Sequence, residues 1–185
     1  MKNEKLKYIA LLRGINVGGK NIIKMEDLRQ LFESLEFENV CTYIQSGNVL
    51  FDSAEKNESV IIKKLEKSLH DFLSDDVLVF IRTIPEFEAI MKINPFNKIK
   101  TPASSKPYVS FLKEELMKKP KLPYLTPKKD VEIIEIKNHE VYSWAVKING
   151  RSGFPNNFVE KEFQLPATTR NWRTVCKLLD ISLNN

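Results

Sequence analysis

The apolar positions of the N-terminal half change period repeatedly, and each change predicts an element. Leu6–Leu12 (LKYIALL) is apolar on both faces, which fits a buried strand. After a polar, glycine-bearing stretch, Met25, Leu28, Leu31, Phe32 and Leu35 recur at helical spacing and predict a helix over about Lys24–Glu36. Val40–Gln45 and Val49–Asp52 alternate as two strands, with Ser46-Gly47-Asn48 as the turn between them. Ile61, Leu65, Leu69 and Phe72 mark a second helix over about Asn57–Leu73, and Val77–Arg82 (VLVFIR) is another apolar strand. The order β-α-β-β-α-β is the ferredoxin-like split βαβ arrangement. Strands as apolar as the first and last of these need cover on both faces. The second half of the chain, or another copy, is expected to supply it.

A short helix is expected from Pro85, and Asn94–Lys106 has the polar, proline-bearing composition of a connector. The pattern then restarts. Tyr108–Leu112 reads as a strand, Lys113–Lys119 as a short helix, and Pro120–Asp130 as a mobile loop. Val131–Ile136 and Glu140–Ile148 read as a second hairpin, followed by helices over about Asn156–Phe163 and Thr169–Leu179. The expected fold is α+β with two subdomains. Residues 1–93 form the ferredoxin-like unit, 94–106 the connector, and 107–185 a partial repeat with extra C-terminal helices.

The chain has 185 residues, with apolar content that supports a packed core and no run long enough for a membrane span or signal peptide. A cytoplasmic protein with no membrane partner is expected. Cys41 and Cys176, the two cysteines, stand in no C-x-x-C pair and read as reduced and buried. His70 and His139 are the two histidines; neither has a visible partner, and no metal site is expected. Any cofactor is left open. The net charge of +5 comes from scattered lysines, which fits solvated faces and also phosphate or nucleic-acid partners.

Arg13–Asn21 reads RGINVGGKN, and from Gly14 it runs G-x-x-x-x-G-K-N, one residue away from a phosphate-binding P-loop. Three observations oppose that reading. Asn21 stands where a magnesium-binding hydroxyl is required. The helical pattern begins several residues after Lys20. No apolar strand ends in a magnesium-binding Asp, since VLVFIR ends in Arg82.

The topology suggests another role. In a ferredoxin-like sheet the first two strands run the same way, so RGINVGGKN and the hairpin tip Gln45-Ser46-Gly47-Asn48 share one end, together with Asp75 and Asp76. Arg13, Asn16, Lys20, Asn21, Gln45, Ser46 and Asn48, with the backbone N–H groups of Gly18 and Gly19, would converge there. Such a set can hold an anion, helped by the positive end of the following helix. The alternative is that the glycines only permit positive φ and the amides only cap turns.

A second candidate is Pro166–Thr174 (PATTRNWRT). Thr168 or Thr169 would cap the last helix, and Trp172, Val175, Cys176 and Leu179 would face a core, leaving Cys176 as packing. Arg170 and Asn171 would then lie in the first turn, beside unpaired N–H groups suited to an oxyanion. Arg151-Ser152-Gly153 offers a weaker third contact, and Trp144 reads as core.

The stretches YIALLRGINVGGKN, KMEDLRQLFESLEFENVCTYIQSGNVLF and TTRNWRTVCKL resemble the motifs of a bacterial family catalogued as domain of unknown function 1697. The match runs through Arg13, Gly14, Asn16, Gly18, Gly19, Lys20, Gln45, Ser46, Gly47, Asn48, Thr169, Arg170, Asn171 and Trp172. The resemblance spans nearly the whole chain. It implies a two-part α+β fold related to the ferredoxin-like one and implies no activity.

The leading expectation is a small phosphate-bearing ligand, such as a nucleotide or sugar phosphate, held by Arg13, Lys20, the Gly14–Gly19 backbone, Gln45, Ser46 and Asn48, with Arg170 and Asn171 completing the pocket. No residue stands out as a general base, so enzymatic activity is left open. A single-stranded nucleic-acid binder is the rival, although no RNP-like run is present. A scaffold or homodimerising module is the third reading.

Overall fold

The structure is a computed structural model describing residues 4–97, 104–148 and 150–184. The chain divides into two compact units, Met1–Glu88 with Leu178–Asn185, and Ala89–Lys177. The division falls inside two helices and not in the expected 94–106 connector.

In unit 1, β1 (Leu6–Leu12), α1 (Met25–Ser34), β2 (Glu38–Tyr43), β3 (Asn48–Ser53), α2 (Glu58–Leu73) and β4 (Val79–Thr83) follow one another as expected. The sheet order is β2-β3-β1-β4, antiparallel throughout. Tyr8, Ala10 and Leu12 of β1, Phe51 of β3 and Ile81 of β4 share a core with Leu28 and Phe32 of α1 and Ile61, Leu65 and Leu69 of α2. Phe51 centres it, with its ring 5.4 Å from Phe32 and 4.6 Å from Phe37. Residues of the opposite register (Ile9, Leu11, Leu50 and Phe80) are also buried, so both sheet faces are withdrawn from water. Asn57 starts α2 by accepting the Ser59 N–H at 3.0 Å, and Ser74 ends it in the left-handed region. The exposed edge strand β2 carries a register shift at Asn39, which sits at φ 50°; such a bulge discourages edge pairing.

α3 (Ile84–Ile93), with Pro85 in its first turn, is followed by a 3-10 turn over Pro95–Asn97. Residues 98–103 of the expected connector lie outside the described residues. Phe96 is buried, 5.1 Å from both Trp144 and Trp172.

Unit 2 holds β5 (Ser105–Leu112), β6 (Tyr124–Leu125), β7 (Val131–Lys137), β8 (Glu140–Ile148), β9 (Arg151–Ser152), α4 (Pro155–Phe163), β10 (Ala167–Asn171) and the start of α5 (Trp172–Asn184). Its sheet order is β10-β5-β8-β7-β6. The run β7-β8-β5-β10 repeats β2-β3-β1-β4 of unit 1, with β6 added at the edge. The expected repetition is therefore present at the level of topology.

Three expectations are corrected here. Lys113–Lys119 is not a helix but a series of bends. The segment is too short to nucleate unaided, and of its residues only Leu116 joins the hydrophobic cluster. Pro120–Asp130 is not merely a loop. It contains β6, and Thr126 is buried with its Oγ1 donating to Asp130 Oδ1 at 2.9 Å. Thr169–Asn171 is strand, not helix, because Ala167–Asn171 registers against Tyr108–Leu112 of β5.

Candidate functional site

The segment after β1 folds back on itself. The Lys20 N–H donates to Val17 O at 3.1 Å, and Gly18 and Gly19 between them sit at φ 60° and 76°. Positive φ at both central residues is the requirement of the tight hairpin turn that glycine satisfies without strain. Among the described residues the Gly18 and Gly19 amides have no acceptor.

Asn16 ties this loop to the β2–β3 turn. Its Nδ2 donates to Gln45 O and to Ile23 O, both at 3.0 Å, and its Oδ1 accepts the Ile23 N–H at 2.9 Å. Its backbone N–H donates to Asn21 O at 3.1 Å. Asn16 and Asn21 both occupy the left-handed region, at φ 53° and 49°, where Asn is tolerated better than most residues. The Leu12 N–H donates to Gly47 O at 2.7 Å, a second link between the two segments. The two stretches, 29 residues apart at their closest hydrogen bond, are thus brought together as the topology required.

Within the turn, Asn48 is buried, and its Nδ2 donates to Tyr43 O at 3.0 Å and Ser46 Oγ at 2.9 Å. Gly47 sits at φ 70°, and a Cβ there would meet Leu12 Cβ and the Ile15 side chain at 2.8 Å. Ile15 is buried beneath the turn, whereas Val17, two residues on, is exposed. The sequence did not single out Ile15, because Val17 and Ile22 of the same loop are as apolar and lie exposed.

The candidate residues therefore divide by role. Asn16, Ser46 and Asn48 spend polar groups inside the protein, whereas Arg13, Lys20 and Gln45 are exposed. The Arg13 N–H donates to Leu78 O at 2.9 Å, which brings the Asp75–Asp76 loop to the same end. His70, expected to lack a partner, lies with its Nδ1 3.0 Å from Asp76 Oδ1. α1 begins at Met25 with Glu26 and Asp27 in its first turn, so acids already occupy the helix end expected to attract an anion. Two concavities of unit 1 lie away from the glycine loop. One of about 180 Å³ is lined by Phe37, Glu55 and Lys64, and one of about 440 Å³ lies between α1 and α2.

The second candidate site is rearranged. Arg170 is not in a helical first turn; it is a buried strand residue whose Nη1 donates to Thr168 Oγ1 at 2.8 Å and Thr169 O at 3.0 Å. Burial pushes its guanidinium down to about 10, still protonated at neutral pH. Asn171, not Thr168 or Thr169, caps α5, accepting the Arg173 N–H on Oδ1 at 2.9 Å. The Thr169 hydroxyl lies 2.7 Å from Ser110 Oγ and donates to Asn156 Oδ1 at 2.9 Å. This buried polar chain links β5, β10 and α4. The sequence reading missed it, because strand register alone reveals that Ser110 and Thr169 face one another.

Cys41 and Cys176 are both free and half-buried, not fully buried as expected, and burial pushes the Cys176 thiol up, which disfavours a nucleophilic thiolate. Trp144 is core, as expected. Among the described residues no group of three or more metal-ligand side chains occurs, and no helix is long and apolar enough to cross a membrane.

The fold defines a two-unit α+β protein whose first unit is a ferredoxin-like βαββαβ sandwich, its glycine loop bonded to the adjacent hairpin tip. The chain belongs to the family described as "Protein of unknown function (DUF1697)", whose sequence model matches residues 6–142. The TTRNWRTVCKL motif lies beyond that range. Among solved structures it is similar to "conserved bacterial protein SP0830 from Streptococcus pneumoniae", at 25% identity and a TM-score of 0.69, covering 96% of this chain and 98% of that one. A comparison with curated proteins finds no match.

Proposed function

We propose that the rim made by the glycine loop and the β2–β3 turn binds a small phosphate-bearing ligand. The observation that carries this reading is the Asn16 bridge, which holds both segments in one arrangement before any ligand arrives. Preorganised donors bind more tightly because less ordering remains to be done on association. Lys20 and Arg13 supply charge, the Gly18 and Gly19 amides supply N–H donors, and the exposed Gln45 discriminates among ligands. Asn16, Ser46 and Asn48 position these groups. Glu26 and Asp27 disfavour an anion at the end of α1, so the ligand sits on the loops. Arg170 and Asn171 fall outside the proposal, since one is buried and the other caps a helix.

The test is an amide NMR titration of the full chain with inorganic phosphate, a nucleoside monophosphate, a hexose phosphate and a short single-stranded RNA. Shifts confined to residues 13–21 and 44–48 with one of the small phosphates, weakened about tenfold by Lys20→Ala, are expected. Shifts elsewhere, or shifts indifferent to Lys20→Ala, overturn the reading. Salt-sensitive binding of RNA alone would replace it with the nucleic-acid reading.

A further inference from the structure

We infer that the groove between α1 and α2 is a docking surface for the Met117 loop of a second copy of this chain. The groove is a shallow, open concavity of about 440 Å³, lined by Asp27, Gln30, Leu31, Ser34, Ser68, Asp71 and Phe72. Asp27, Leu31 and Ser34 follow one stripe of α1, and Ser68, Asp71 and Phe72 one stripe of α2. Phe72 is 53% exposed, a large ring left in water at the end of a helix that buries Ile61, Leu65 and Leu69. Neither Asp27 nor Asp71 has a hydrogen-bond or ion-pair partner among the described residues. The groove therefore sets the exposed Phe72 ring in a mostly polar lining with two carboxylates that have no partner among the described residues.

An exposed apolar side chain flanked by positive charge occurs elsewhere on the same chain. Met117 is 98% exposed and so packs against nothing in its own protomer. Lys118, Lys119 and Lys121 follow it, all exposed. Its neighbour Leu116 is buried in the hydrophobic cluster of unit 2, which anchors the bend and presents Met117 outward. A flexible thioether suits an aromatic ring edge, and flanking ammonium groups suit carboxylates at the groove rim. The groove's carboxylates call for a basic occupant, and the lysine-flanked Met117 of a second copy supplies one.

The contact joins two different surfaces. It closes into a dimer when each copy places its loop in the other's groove. Lys119 already pairs with Glu115 at 3.4 Å, so Lys118 and Lys121 are assigned to the carboxylates.

Sedimentation velocity over a wide concentration range tests this. Wild type is expected to associate reversibly, and Phe72→Asp and Met117→Asp are each expected to weaken the association about tenfold or more. These positions are exposed, so circular dichroism and thermal unfolding should stay near wild type. Charge reversal gives the sharper readout. Asp27→Lys/Asp71→Lys and Lys118→Asp/Lys121→Asp should each associate poorly alone and recover when mixed, because mixing restores both contacts of a reciprocal dimer. A strictly monomeric wild type, an association that ignores either face, or a mixture that fails to recover overturns the inference.

Discussion

Replacing Asn16 with alanine removes three side-chain hydrogen bonds, to Ile23 O, Gln45 O and the Ile23 N–H. Each contributes about 1 kcal/mol net. The bond to Gln45 O is exposed, and water replaces it at little cost, so the side-chain loss is about 2 kcal/mol. Alanine must also adopt φ 53°, a further cost of about 1 kcal/mol that Asn largely avoids. The expected destabilisation is therefore about 3 kcal/mol. Urea denaturation of a three-member series separates the two terms. Asn16→Gly loses the bonds and keeps the backbone, and should cost about 2 kcal/mol. Asn16→Asp keeps the acceptor for the Ile23 N–H and should cost less. Hydrogen exchange at the Ile23 amide should accelerate in the alanine and glycine variants but not in the aspartate one. An alanine variant within about 0.5 kcal/mol of wild type, or a glycine variant no better than alanine, would refute Asn16 as the residue that fixes the shape of the glycine loop.

Gly47→Ala must resolve 2.8 Å contacts with Leu12 and Ile15 as well as its φ of 70°, so it should cost about 3 kcal/mol or more by chemical denaturation. Gly19→Ala, with open space around its Cβ, should cost only about 1 kcal/mol. Thr169→Val leaves Ser110 and Asn156 without their shared hydroxyl and should destabilise by about 2 kcal/mol; a neutral result would mean that the buried chain contributes nothing. Burial is the main force raising the Tyr142 phenol, with Glu140 and Glu135 adding to it. The folded state therefore keeps this proton after the unfolded state has released its own. Stability from this group is fully present below pH 10 and falls as pH rises above it, by up to about 1.4 kcal/mol per unit. Tyr142→Phe should flatten that alkaline loss in denaturation curves taken across the range.

Unit 1 was legible because its signals are local and mutually consistent. The limits expected for β1 are those observed, and α2 begins one residue after the expected position, with Asn57 as its cap. The pairing of the glycine loop with the hairpin tip followed from strand directions alone. What each amide side chain does there was not legible. Residue type gives Asn16 and Asn48 their donors and acceptors, but angstrom-scale geometry turns those groups inward and leaves Lys20 and Gln45 exposed. The division into compact units was not legible either, because the change from one to the other occurs within helical segments that carry no break in periodicity.

The order of strands and helices in unit 1, the two-part α+β architecture and the shared end of its glycine-bearing loop and hairpin turn come from the chain's own pattern. The state of Thr168–Asn171 does not. Trp172, Val175, Cys176 and Leu179 extend a helical stripe backward, and capping chemistry permits a start at either threonine. Pairing with β5 overrides both, because a strand that joins a sheet satisfies its backbone groups and buries its side chains together, while local propensity differs by only about 0.5 kcal/mol per residue. Likewise, KEELMKK carries helix-forming residues but becomes an anchored bend with Met117 exposed, because a short segment depends on what distant residues offer it to pack against.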